Sequence, residues 1–122
     1  MSPKIFLINK SKNKNMGNVT FANSFFSRFR GLMLKKDLKS GLVLKIPAGR
    51  GKKGSAIHMF FMRIPLDIIF VDEDLKVVDL ASLNPWNIYT PKSPSRFVIE
   101  LKKGLIKNSG TEVGDLMEFN NL

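Results

Sequence analysis

Residues 57–73, IHMFFMRIPLDIIFVDE, limit the fold more than any other stretch of the chain. The run is too apolar to lie on a surface, yet Pro65 prevents one helix or one central strand from passing through it. Proline also keeps the residue before it in extended backbone. The run therefore reads as two strands, AIHMFFM (56–62) and LDIIFVD (66–72), split by Arg63, Ile64 and Pro65. Alternation puts His58, Phe60 and Met62 on one face of the first strand, and Ile57, Met59, Phe61 and Arg63 on the other. Both faces are largely apolar, so the strand is expected to be buried on two sides or to line a closed barrel. The two strands are expected to be adjacent inner strands, which would make His58, Arg63 and Asp67 neighbours.

The flanking sequence repeats the strand-and-turn rhythm. KIFLI (4–8) reads as a strand, NKSKNKNMGN (9–18) as a loop turning at Gly17, and VTF (19–21) as a second strand. LVLKI (42–46), KVVDLAS (76–82), RFVIEL (96–101) and a closing segment at 115–119 add further strands, with hairpin turns at DEDL and KKG. LNPWNIYTPKSPS (83–95) holds three prolines and cannot be a central strand. One segment has helical periodicity. In NSFFSRFRGLMLKK (23–36), Phe25, Phe26, Phe29, Leu32 and Met33 share a face, with Asn23 or Ser24 as N-cap. The predicted fold is mainly β with one α-helix (α+β): a small single-domain β-barrel or β-sandwich with an N-terminal helix packed on it. One domain covers 1–122, with a core at about 19–119 preceded by an N-terminal strand and polar loop at 1–18.

Charge is distributed unevenly. Residues 1–63 hold fourteen Lys and Arg against one acid, Asp37, whereas residues 64–122 hold six bases and nine acids. The chain has no cysteine, which excludes disulfides and thiolate metal sites. Its first fifteen residues contain only IFLI as an apolar run, too short for a signal h-region or a membrane span, so a cytoplasmic location is expected.

Candidate functional residues follow from these placements. His58 is the only histidine, with no second ligand at metal-binding spacing; a hydrogen-bonded structural role is favoured over an acid–base one. Arg63 and Asp67 flank Ile-Pro-Leu and are expected to form an ion pair, or else to present the guanidinium to an anion. Paired carboxylates for acid–base work could come from Asp67, Asp79, Glu100 or Asp115, but their spacing does not bring them together, and most sit in turns or hairpins, where a solvated carboxylate is expected. The loop PAGRGKKGS (47–55) fails the P-loop signature because Ser55 stands where lysine is needed; Arg50, Lys52 and Lys53 there are possible phosphate contacts. Trp86, with Tyr89 nearby, reads as a loop anchor, with stacking of a base or sugar as the alternative.

The ordered blocks RFRGLM (28–33), GLVLKIP (41–47), IHMFFMRIPLDIIFVDEDLKVVDL (57–80), NPW (84–86), VIELKKG (98–104) and VGDLMEF (113–119) resemble the family numbered 192 among domains of unknown function, also an uncharacterised protein family of the UPF series. The resemblance implies a compact, β-rich barrel or sandwich with a packed helix, and no known reaction. Its matched polar residues are Arg28, Arg30, His58, Arg63, Asp67, Glu100 and Asp115.

The leading expectation is a binding or accessory module for a small polar or anionic ligand, with Arg28, Arg30, His58, Arg63, Asp67 and Trp86 as ligand residues and no cofactor or metal. The alternative is non-specific RNA or DNA binding through the basic half. A third reading is a hydrolase-type enzyme with His58 as general base.

Overall fold

The structure, a computed structural model, describes residues 4–22, 40–49, 51–59 and 62–121, apart from the side chains of residues 54 and 58. The described residues form nine strands: β1 (Ile5–Asn9), β2 (Lys14–Ala22), β3 (Gly41–Lys45), β4 (Ile57–His58), β5 (Leu66–Val71), β6 (Val77–Leu83), β7 (Ile88–Tyr89), β8 (Phe97–Lys102) and β9 (Met117–Asn120). Seven of them form one sheet in the order β6-β5-β8-β3-β2-β1-β9, and β4 pairs with β7 in a separate ribbon. All pairs are antiparallel except β2–β3. A parallel pair needs a crossover connection, and the expected N-terminal helix at 23–36 falls in that connection, outside the described residues.

The sheet curls until its edge strands meet at one end. Lys76 bridges Leu116, the Val77 amide donates to the Asp115 carbonyl at 2.8 Å, and the Met117 amide donates to the Leu75 carbonyl at 2.8 Å. The result is a half-barrel, built on the ordinary strand twist and on bulges in the β1–β2 and β5–β6 pairs. Gly17 belongs to the first bulge, with φ +96°, which a side chain would strain. The turn expected at Gly17 lies instead at 10–13, and residues 14–18, read as loop, are already strand.

The sheet buries both of its faces. Leu7, Val43, Ile69, Val71, Ile99 and Leu101 fill the inside of the curl. Leu44, Leu66, Ile68 and Phe70 pack on the outside against Ile46, Ile57 and Met59. All six residues of β5 are therefore buried, which explains its unbroken apolar sequence. The expectation of two adjacent inner strands is corrected here. Of the described residues in the segment 56–62, only Ile57–His58 is strand, and it pairs with β7 rather than β5. Ile57, Met59 and Met62 form a lid over the outer face of β5, and covering a face selects apolar residues as strongly as extending the sheet would.

One helix was missed. After β8, the KKG turn leads into a five-residue helix, α1 (Leu105–Ser109), before the chain returns to β9. Among the described residues, no helix is long and apolar enough to cross a membrane.

Candidate functional site

Four carboxylates are buried, although most of them read in sequence as solvated: Asp67, Asp79, Glu100 and Asp115, at 2%, 4%, 0% and 6% exposure. Three of them act as clasps that accept backbone N–H donors. Asp67 takes the Gly104 and Ile106 amides, both at 3.0 Å, and the Ser82 hydroxyl at 2.7 Å. It thereby fixes the KKG turn and α1 against β5. Asp79 accepts from the Tyr89 hydroxyl at 2.6 Å and from the amides of Lys92 and Leu80, both at 2.8 Å, which pins β7 to β6. Asp115 accepts from Asn9 Nδ2, Lys12 Nζ and the Glu112 amide, each at 3.0 Å, joining the β1–β2 turn to the loop before β9.

Protonation follows from these contacts. Burial alone would raise the Asp79 pKa, but the Tyr89 hydroxyl and the two amides outweigh it and hold it below the usual value. Burial and the same bond push the Tyr89 phenol up to about 12. Asp115 is likewise held low, as Asn9, the Glu112 amide and Lys12 overcome its desolvation.

The constellation expected from sequence does not assemble. Arg63 is exposed, whereas Asp67 is buried and occupied by the turn and by Ser82. No ion pair joins the two. Pro65 separates them into different layers, with Arg63 in the outer connection and Asp67 on the inward face of β5. His58 contributes backbone to the β4–β7 ribbon, and its side chain lies outside the described residues, as do Arg28, Arg30 and Arg50. Lys52 and Lys53 are exposed on a short 3-10 turn.

Trp86 is 57% exposed. Backbone hydrogen bonds hold its loop. Trp86 N–H donates to the Met59 carbonyl at 2.6 Å, the Met59 amide donates to the Asn87 carbonyl at 2.7 Å, and Asn87 Oδ1 accepts from the Asn84 amide at 2.8 Å. Trp86 has φ 72°, uncommon for so bulky a residue.

A cleft of about 150 Å³ opens where β2, β3, β8 and α1 meet. Met16, Leu101 and Leu105 give it an apolar wall, and Gly17 and Gly41 bring backbone to its surface. Asn18, Ser40 and Lys102 supply polar groups. Ser40 Oγ is 3.1 Å from Thr20 Oγ1, which orients its hydroxyl. Lys102 is exposed and makes no ion pair among the described residues. Asp67 fixes the turn that follows Lys102, so the rim rests on a buried carboxylate. Sequence reasoning missed this cleft because its residues come from four separate blocks. The KKG turn was its only local signal. Among the described residues, no group of three or more His, Asp and Glu is placed to hold a metal ion.

Comparison with known proteins places this geometry in a recurrent fold. The model of a family described as "Uncharacterized ACR" matches residues 7–119. A UPF0127 protein of Thermococcus sibiricus is 41% identical over 93% of this chain and 73% of its own length. A UPF0127 protein of Pyrococcus furiosus is 36% identical over 95% of this chain and 99% of its own. Among solved structures, a protein of Sinorhizobium meliloti described as a candidate transcription regulator is 24% identical with a TM-score of 0.80, over 98% of this chain and 95% of that one. A protein of unknown function from Novosphingobium aromaticivorans is also 24% identical, with a TM-score of 0.78, over 94% of this chain and 83% of that one. These two likenesses concern the fold alone.

Proposed function

The chain belongs to domain-of-unknown-function family 192, and from that premise we propose that it is a small binding or accessory module for a small polar or anionic ligand. The observation that carries this reading is the cleft between β2, β3, β8 and α1. It combines an apolar wall with the polar groups of Asn18, Ser40 and Lys102. Ligand sites commonly have this character, a largely apolar concavity in which a few polar groups set orientation. Its volume of about 150 Å³ is below that of drug-sized pockets, which limits the occupant to a small molecule. The walls stand on sheet strands and on a turn fixed by Asp67, so the site is pre-organised and loses little freedom on binding.

The test is amide chemical-shift mapping against a set of small anionic, neutral and cationic compounds. Binding is expected to move the resonances of Gly17, Asn18, Gly41 and Lys102, and to leave Arg63 unmoved. The substitution Leu105→Trp, which fills the cleft, is expected to abolish the response in a protein that retains its fold. No response at those four amides, or a response centred on Arg63, would refute the assignment.

A further inference from the structure

We infer that the cleft selects an oxyanion carrying a short alkyl tail, with Lys102 as the residue that sets the charge preference. This inference rests on the binding reading above and adds the class of ligand. Four observations support it. The charged group on the lining is a cation, and no carboxylate is among the lining residues. The Lys102 ammonium is exposed and uncommitted to any described acid, so an incoming anion would displace water rather than an existing partner. The Asn18 amide is half-buried, and no side-chain hydrogen bond occupies it among the described residues, which leaves a second donor on the lining. The apolar wall of Met16, Leu101 and Leu105 would be left wet by a bare inorganic ion and is covered by an alkyl tail.

Size narrows the class further. A water takes up roughly 30 Å³ of liquid, so the cleft holds the equivalent of about five waters. That suits a head group with a tail of two or three carbons as the part seated in the cleft. Carboxylates and phosphate monoesters share the required chemistry of an oxyanion accepting charge-assisted hydrogen bonds.

The experiment titrates n-butyrate, ethyl phosphate, n-butanol and n-butylammonium into the full chain and reads the cleft amides by NMR. Butyrate, ethyl phosphate or both are expected to bind in the cleft, and the tighter of the two identifies the head group. Butylammonium and butanol are expected to bind about ten- to a hundredfold more weakly, the range for losing a hydrogen bond to a charged group. Lys102→Gln, at an exposed site, is expected to keep the wild-type spectrum elsewhere and to lose that preference. Equal binding of all four probes in the cleft would overturn the charge assignment and leave the binding reading intact. A preference that survives Lys102→Gln would overturn the role of Lys102. Silence of the cleft amides to every probe would overturn both.

Discussion

Tyr89 is the only tyrosine in the chain, so its titration can be followed without overlap from another phenol. Its hydroxyl donates to a buried Asp79 that also holds two amides. Ionising the phenol would destroy the donor and set two negative charges side by side. Burial first, and then this bond and charge, raise the folded pKa from the ordinary 10.0 to about 12, so the stability linked to the neutral phenol is present below pH 10 and lost as pH rises through 12. Asp79→Asn is expected to return the phenol toward 10.0 in a tyrosinate absorbance titration; a value still near 12 would mean that burial alone sets it. Asp115 behaves in the opposite sense. Its folded pKa lies below 3.8, so its contribution is present above that value and lost as pH falls through the lower folded one. Asp115→Asn is expected to flatten the acid side of the melting-temperature profile, and an unchanged profile would show that this clasp is not what acid breaks.

The elements register two kinds of constraint that their sequences barely signal. Gly41 opens β3 with no space for a side chain: a Cβ there would come within 2.7 Å of Leu101 Cδ2 and 2.9 Å of Val19 Cγ1. Overpacking of this kind costs about 1–3 kcal/mol, so Gly41→Ala is expected to lower the chemical-denaturation midpoint by a corresponding amount and to shift the Leu101 methyl resonances. An unaltered midpoint would mean that Leu101 moves aside freely. Asp67 supplies the other constraint. Removing its carboxylate in Asp67→Ala orphans the Gly104 and Ile106 amides, and each buried unsatisfied group costs about 1–3 kcal/mol. Faster hydrogen exchange at those two amides than at Ile69 or Ile99 is the expected sign, and uniform exchange would assign Asp67 to global stability instead. The sequence made β1, β3, β5, β6 and β8 legible because their apolar residues face packed layers. The amide partners of Asp67, Asp79 and Asp115 were not legible. A carboxylate that accepts amides from a distant loop reads in sequence like one that faces water. The same holds for β4, whose apolar run reports coverage by the sheet and not membership of it.

At the scale of the molecule, part of the charge imbalance between the two halves of the chain is answered across the sheet. The topology places β1 between β2 and β9, so basic residues early in the chain meet acids near its end. Lys12 lies 3.0 Å from Asp115 and 3.8 Å from Glu112, and Lys10 lies 3.8 Å from Glu118. Linear charge counting could not anticipate this, because the pairing depends on the strand order. The consequence bears on non-specific nucleic-acid binding, the alternative that the composition suggested. A lysine held beside a carboxylate displaces fewer counterions from a phosphate backbone than a lone one. Glu118→Gln is therefore expected to release Lys10 and to steepen the dependence of single-stranded RNA affinity on salt, by about 0.7 in the slope of log K against log salt for one added contact. Fluorescence anisotropy across a salt series measures that slope, while butyrate binding at the cleft, which uses neither residue, stays the same. A slope unaffected by Glu118→Gln would show that this end of the half-barrel does not meet the phosphates, and would move any nucleic-acid contact to the exposed Lys52 and Lys53.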